Sequence, residues 1–538
     1  MDPVNRRNRL YNNAYLIWLL WLLLAAFAIS RISVPPGVPE DAGFAQAENQ
    51  LSVIAASAHP VGSPAHEALA SYLESQIRLL GLTPVRQTLP ASSLSVPLRS
   101  AEGHDINNIM VRLPGTGTGR AVLVMAHYDA RADSPGAGDD GAAVASMLAV
   151  LAQMAATNDR LNDLIFLFSD AEEPCLCGAR AFVAYHPWAA DIGLVLNFEG
   201  RGSSGLSLMF ETTAGNAELV RHFGEAAVHP ATGSLFYEIY RILPNDTDLT
   251  LFKASGYPGL NMAFIGNAEN YHHSTDSVDS LSLPAFYHLY RNIQALVSHF
   301  VNAPLDKLEG DNVVFFDLLS FTVLSYSQTT ASLLAVVAAV LLLSLYRQIF
   351  VEEQVRKLKI ALLVVACPVL LLLPAIGLQM LHRLSLPDDP VLRVSAQFSV
   401  WRLVVMLCVN SCIFFSALRL MLKVWSVAEW EVVVLGYWLL LLVASTCLLP
   451  GASYLFLWPL LIMVAGFLLS RRLAAQAHTA HWLIRLFAPV GLLVIWSGPL
   501  YVLFQAMSLA SAAMIVVLAS IALGLLSLPI NRFREYAN

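Results

Sequence analysis

The chain has 538 residues, 56% of them hydrophobic and only 13% charged, with a net charge of −7 and a mean hydropathy of +0.59. So apolar a balance excludes an ordinary soluble protein. An acidic chain with no basic stripe and no phosphate-cradling Gly loop also excludes a nucleic-acid partner. The apolarity is uneven: residues 34–325 carry ordinary charge, whereas 326–538 is a succession of long apolar runs. Three regions are expected: a cytoplasmic N-terminus and transmembrane anchor over 1–33, an extracytoplasmic domain over 34–325, and an all-α seven-span transmembrane domain over 326–538.

The first uncharged stretch, "YNNAYLIWLLWLLLAAFAIS" (Tyr11–Ser30), is long enough to cross a bilayer as a helix and follows Arg6, Arg7 and Arg9. Cytoplasmic flanks are rich in Lys and Arg, so the N-terminus is expected inside. "AFA" at 26–28 resembles a signal-peptide cleavage site, but the apolar run is long for a signal peptide, and an uncleaved anchor is expected.

Within 34–325, short β-like runs alternate with amphipathic helical stretches, the pattern of an α/β domain with a mostly parallel or mixed sheet and flanking helices. "GTGTG" (115–119), between "IMVRLP" and "AVLVMA", reads as a hairpin turn. Four runs end in polar residues. "AVLVMA" ends in "HYD", "DLIFLFS" in "DAEE" and "IGLVLNF" in "EGRG", while "GLNMAFI" leads into "GNAENYHHSTD". In open α/β sheets, ligands collect outside the carboxyl ends of the strands, so these residues are expected to converge.

His127 offers a neutral imidazole ligand, and Asp129, two residues on, a carboxylate to fix its tautomer. In "SPGAGDDGAAV", Asp140 is expected as a turn or N-cap residue and Asp139 as a carboxylate bridging two cations. Adjacent carboxylates at a strand end point apart, so Glu173 can bind a metal while Glu172 acts as general base. Glu199 adds a carboxylate, and His272 or His273 the last imidazole. This nitrogen and oxygen set suits two Zn2+ ions about 3.5 to 4 Å apart that activate water. Cys175 and Cys177 are expected to pack near the site, with a metal or redox role as the alternative, because a disulfide between residues two apart would be strained.

Seven further runs, near 328–346, 360–380, 399–421, 430–449, 452–470, 484–505 and 508–529, are long enough to span. Loops expected in the cytoplasm carry Arg347, Arg356, Lys357 and Lys359, then Arg419 and Lys423, then Arg471, Arg472 and Arg485, and last Arg532 and Arg534. Arg383 and Arg393 are the main basic residues on the other side. Both termini are therefore expected inside and residues 34–325 outside. Arg402 and His382 are expected to snorkel at span edges, and Asn410 to bond between helices.

In order and spacing, "HYD", "PGAGDDGAAV", "SDAEEPCLCGARAF", "NFEG" and "YHHSTDSVDSL" resemble the five ligand motifs of the M28 zinc aminopeptidases. The resemblance implies a zinc aminopeptidase-like fold in which His127 and Glu199 bind one zinc, Glu173 and His272 the other, Asp139 bridges them and Glu172 is the base. Tyr271 and Asp276 register the last motif and put the ligand at His272, with His273 in a position usually held by Thr. Many soluble members have Asp where this chain has Glu199; Glu there is typical of the membrane-bound branch and of glutaminyl cyclases. "ETTAGN" (211–216), "PNDTDLTLF" (244–252) and "VVFFDLLSF" (313–321) also resemble the membrane-bound branch. Resemblance in motifs covers residues 15 to about 325. In that family "PNDTD" lies near the pocket, which implies that Asp246 and Asp248 help to position substrate.

The expected function is removal of N-terminal residues from peptides by a di-zinc enzyme held in a lipid bilayer. Its face is periplasmic in a bacterial inner membrane or lumenal in a eukaryote. The scarcity of glycosylation sequons, Asn245-Asp246-Thr247 being one of few, favours the bacterium. Competing expectations are a glutaminyl cyclase-type acyl transferase and a receptor or transporter that only binds peptide.

Overall fold

The computed structural model describes residues 20–21, 23–31, 37–94, 103–117, 120–387, 399–473, 484–485 and 487–537. Two compact units divide the chain: Arg31–Ser327, and Gln328–Asn538 grouped with Met1–Ser30. Of the anchor expected over Tyr11–Ser30, residues 11–19 and 22 lie outside the described residues.

The first unit is built on one eight-stranded mixed sheet. Its strands are β1 (Val85–Pro90), β2 (Asp105–Leu113), β3 (Ala121–His127), β4 (Asp163–Ser169), β5 (Ile192–Gly200), β6 (Leu208–Thr212), β7 (Ala231–Thr232) and β8 (Gly259–Phe264), in the order β1-β2-β4-β3-β5-β8-β6-β7. Strands β4, β3, β5 and β8 run parallel at the centre, with β2 antiparallel on one side and β6 on the other. Strands covered on both faces must be apolar on both, and every residue of β3, β5 and β8 is buried.

The flanking helices include α1 (Ala42–Ile54), α2 (Pro64–Leu79), α3 (Ala142–Ala155), α4 (Cys177–Tyr185), α5 (Ala217–Ala226), α6 (Asp248–Ala254) and α7 (Leu283–Phe300). Alternation sorts the strand residues between two layers. Val122, Val124, Leu164 and Phe166 pack with α1, α3, α5 and α7, whereas Leu123, Met125, Ile165 and Leu167 pack with Phe182 of α4 and Phe252 of α6. Each fully buried Val, Leu, Ile or Phe stabilises the unit by about 1.5–3 kcal/mol. Helix α3 opens with small, buried residues, Ala142, Ala143, Ala145 and Ser146, which let its first turns lie close to the sheet.

The hairpin expected at "GTGTG" does not form, because β4 lies between β2 and β3. A strand apolar on both faces is most stable inside a sheet. The described part of the Gly-Thr segment is instead tied to the approach to β4: Gly115 N–H donates to Asp163 at 2.7 Å, and Thr116 and Gly117 N–H donate to the carbonyls of Arg160 and Leu161.

The Gln328–Asn538 region forms α8 (Gln328–Glu352), α9 (Lys357–Leu384), α10 (Val400–Met421), α11 (Val427–Leu448), α12 (Tyr454–Leu473), α13 (Val490–Met507) and α14 (Ala512–Ala537). Among the described residues, seven helices are long and apolar enough to cross a membrane. Asn410 of α10 donates to Ser520 of α14 at 3.0 Å, the inter-helix bond expected of it. Charged residues gather where helices end. Glu431 of α11, wholly buried, pairs with Arg532 of α14 at 2.6 Å, and Arg532 also pairs with Glu353, just beyond α8, at 2.7 Å. Arg471 of α12 pairs with Glu353 at 2.9 Å and with Glu352.

Removing one member of a buried ion pair leaves an uncompensated charge, at a cost of about 3–5 kcal/mol. Arg532→Met is therefore expected to lower the thermal midpoint of the detergent-solubilised chain, and adding Glu431→Gln to restore part of it. An unchanged midpoint in Arg532→Met would contradict the network.

Candidate metal centre

Parallel strands end on one edge of a sheet, and the loops leaving that edge carry the site. His127 is the last residue of β3, and Glu199 the last but one of β5. Glu172 and Glu173 open a single helical turn, Glu172–Cys175, beyond β4, and His272 lies in the loop after β8. Asp139 comes from the irregular turn Ala137–Gly141 that precedes α3. Two of these joints take left-handed backbone without being Gly: Ala171 (φ 55°), just before Glu172, and His272 itself (φ 61°). Such conformations cost about 1–3 kcal/mol each and cluster at functional sites.

The imidazole of His127 is placed so that it could hold a cation. Its Nδ1 lies 2.9 Å from the carbonyl oxygen of Asp129. A carbonyl only accepts, so Nδ1 holds the proton of the neutral ring, and Nε2 presents a lone pair. That lone pair faces Asp139 Oδ1 at 3.2 Å and Glu199 Oε2 at 3.7 Å. Asp139 turns its other oxygen, Oδ2, toward His272 Nε2 at 3.2 Å, and His272 Nε2 lies 3.1 Å from Glu173 Oε1. Glu173 Oε1 and His272 Nε2 are both buried without a hydrogen-bond partner.

Two groups of acceptors, His127/Asp139/Glu199 and Asp139/Glu173/His272, thus share one carboxylate. Bonds of about 2.0–2.2 Å in tetrahedral geometry set zinc ligands about 3.4 Å apart, close to the separations seen here. The residues fit two divalent cations. Electrostatics agree: burial, with Asp139 and Asp248 nearby and against the pull of His127, pushes Glu199 up to about 8. Burial first, and the Glu199 carboxylate second, push Glu172 well above the usual carboxylate range. Crowded negative charge of this kind is what a dication relieves.

A surrounding set of polar residues holds these ligands. The Asp129 carboxylate acts differently from expectation: it accepts the backbone N–H of Glu172 at 2.9 Å and of Glu173 at 3.3 Å, and stands 3.6 Å from His127 Nδ1. It fixes the Glu172–Cys175 turn, while its own carbonyl sets the tautomer of His127. Asp170 accepts from Asn107 N–H at 2.6 Å and lies 2.8 Å from His66 Nε2, whose ring stacks on Tyr128. Asp276 accepts the N–H groups of Gly138 at 2.7 Å and Asp139 at 3.1 Å, locking the bridging residue's backbone. Asn197 donates to Glu199 Oε1 at 3.0 Å, which leaves Oε2 to face His127. Sequence reasoning assigned none of His66, Asp170, Asn197 and Asp276 a role. The available signals were spacing alone: Asp170 two before Glu172, Asn197 two before Glu199 on one strand face, and Asp276 closing the last motif.

The other expected residues fall as follows. His273 is exposed and belongs to neither group, so His272 is the imidazole that faces the carboxylates. Asp140 is not an N-cap: α3 follows Gly141 with no side-chain cap bond, and both Asp140 carboxylate oxygens are turned inward, buried and unpartnered. Asp246 is exposed, whereas Asp248 is buried and accepts the Ser169 hydroxyl at 2.5 Å, closed to direct contact with a substrate. Cys175 and Cys177 are joined as a disulfide, not free, because the left-handed Leu176 (φ 52°) between them folds the chain back.

A third cluster, His222, Glu225 and His299, also brings ligand atoms together. There Arg221 lies 2.9 Å from His222 Nε2 and pairs with Glu225 at 2.7 Å. Its positive charge already satisfies the acceptors and opposes a cation.

Residues 108–297 match the model of peptidase family M28. Endoplasmic reticulum metallopeptidase 1 of Homo sapiens is 33% identical over 293 residues, covering 51% of this chain and 32% of the human protein. The vacuolar membrane protease of Clavispora lusitaniae is 30% identical over 288 residues, covering 51% of this chain and 28% of its own length. The aligned part of the chain thus spans about a third of the length of these relatives. Among solved structures, a zinc aminopeptidase from Bacillus subtilis covers 49% of this chain and 97% of its own at 14% identity and a TM-score of 0.38. A glutaminyl cyclase from Porphyromonas gingivalis covers 47% and 97% at 16% identity, also with a TM-score of 0.38. By the family match and these two relatives, residues 108–297 are a peptidase family M28 domain.

Proposed function

We propose that the chain is a membrane-anchored aminopeptidase that uses two zinc ions to remove N-terminal residues from peptides. Its Arg31–Ser327 unit would face the periplasm or lumen, with both termini cytoplasmic, as the placing of Arg and Lys in alternate loops favours. The observation that carries the reading is the Asp139 carboxylate, whose two oxygens face two separate histidines.

His127 and Glu199 would hold one ion, Glu173 and His272 the other, and Asp139 both. Zinc supplies there a Lewis acid that polarises the scissile carbonyl and lowers the pKa of the attacking water. Glu172 is the base: its backbone N–H is pinned by Asp129, and burial, with Glu199 beside it, raises its proton affinity well above the usual carboxylate range. It takes the proton of the attacking water and returns it to the leaving amine. Asp129 and Asp276 act through the backbone, holding Glu172, Glu173 and Asp139 in register while the reaction proceeds.

Glu172→Gln keeps the shape and removes the base, so turnover of aminoacyl-coumarin substrates should fall by about 10²–10⁴-fold with zinc retained. Substantial residual turnover in that variant would sink the assignment. Cyclisation of an N-terminal Gln is the second reading, favoured by Glu199 where many soluble members have Asp. It would show as pyroglutamate formed without release of a free amino acid.

Zinc should also change how stability depends on pH. In the ion-free chain, Glu199 at about 8 and Asp276 at about 7 lie above their unfolded values. Raised carboxyl pKa values stabilise the fold below the unfolded pKa, and that contribution is lost as pH rises through the folded one. The zinc-loaded chain lacks this loss, and metal also displaces protons. The drop in thermal midpoint on adding a chelator is therefore expected to be larger at about pH 8 than at about pH 5.5. Equal drops at both would contradict the charge balance described.

A further inference from the structure

Beneath Glu199, a row of polar side chains crosses a sheet that is otherwise apolar at its centre. Asn197 of β5 and Asn261 of β8 are register partners, as are Asn261 and Glu211 of β6. All three are buried. Asn197 Nδ2 donates both to Glu199 Oε1 and to Asn261 Oδ1, each at 3.0 Å. Asn261 Nδ2 donates to Glu211 Oε2 at 3.0 Å and to Thr247 Oγ1 at 2.8 Å. Glu211 in turn forms an ion pair with Lys253 of α6, which is 36% exposed.

The direction of every bond in this row is determined. A carboxylate only accepts, so Glu211 forces the Asn261 amide to present its NH2 group to it and its oxygen to Asn197. That oxygen forces the NH2 group of Asn197 the other way, between Asn261 and Glu199. Flipping either amide would set oxygen against oxygen in a buried place, at a cost of about 1–3 kcal/mol for each unsatisfied group. Lys253 takes Glu211 Oε1, which leaves Oε2 to accept from Asn261. No backbone role explains the row, since the strands pair through their own amides.

We infer that Lys253, Glu211, Asn261 and Asn197 form a positioning relay that fixes which oxygen of Glu199 faces the metal. This rests on the reading of Glu199 as a metal ligand. Glu199 has one more rotatable bond than an Asp and needs an outside partner to hold its carboxylate; the relay supplies it through Asn197, backed by a row that crosses β5, β8 and β6. Residues that orient metal ligands typically change metal affinity by about 10–100-fold when removed.

The test is competition for Zn2+ between a chelator of known affinity and the full detergent-solubilised chain, in wild type, Asn197→Leu and Lys253→Met, with the thermal midpoint of each metal-free protein in parallel. Asn197→Leu is expected to weaken zinc binding by about 10–100-fold. Lys253→Met, at the exposed end, should weaken it in the same direction by roughly 2- to 30-fold, with a lower metal-free midpoint because the buried Glu211 carboxylate loses its partner. A merely structural role for Lys253 would lower the midpoint and leave zinc affinity alone, and that result overturns the relay. So does wild-type affinity in Asn197→Leu. Lys253→Met touches no buried apolar contact of the core and keeps the test open if Asn197→Leu does not fold. Peptidase turnover is read separately: variants that lose zinc affinity beside a wild type with no turnover would support the relay and remove the peptidase reading.

Discussion

Carboxylates crowded around two imidazole nitrogens are the constraint on which this structure turns. Two unit charges about 4 Å apart repel by about 4 kcal/mol at the effective dielectric of a protein site, and here the carboxylates of Asp139, Glu173 and Glu199 stand around two imidazole nitrogens. The sheet imposes this crowding, because four parallel strands end on one edge and their loops have nowhere else to go. Asp129, Asp276 and Asn197 then hold the crowded groups by hydrogen bonds that would be pointless if the ligands were free to swing away. A cation between them turns each repulsion into attraction, and the fold reads as a rigid frame awaiting positive charge.

The strand ends were legible in the sequence because a strand buried on both faces is a continuous apolar run, and the polar residue that ends it stands out. "DLIFLFS" and the β4 strand coincide residue for residue. The seven C-terminal helices were legible for a similar reason, length and apolarity. What was not legible depends on pairing between distant segments. The register that sets Asn197 against Asn261 and Asn261 against Glu211 leaves no local trace. Nor does the insertion of β4 between β2 and β3, which replaced the hairpin suggested by "GTGTG". Asp129 shows a subtler limit: its spacing from His127 pointed to the imidazole, but its carboxylate went to two backbone amides delivered by a loop more than forty residues away.

Both units solve the same problem with different means. In the helical unit, Glu431 meets Arg532 and Glu353 meets Arg471, so these charges have their opposites supplied by the chain. In the Arg31–Ser327 unit, the row from Asn197 to Lys253 ends in such a pair too, whereas the carboxylates of Asp139 and Glu199 beside it have no Arg or Lys partner among the described residues. An excess of acceptors kept in one place is what a site for a metal would need. Perturbed carboxylates at that one place follow from the same excess.

The most direct measurement is the zinc content of the purified full chain, by elemental mass spectrometry, in wild type and in Asp139→Ala. A carboxylate shared by two ions predicts two zinc ions per chain in the wild type and a loss of at least one in the variant. One ion in both proteins, or two in both, would contradict the shared carboxylate on which the account rests.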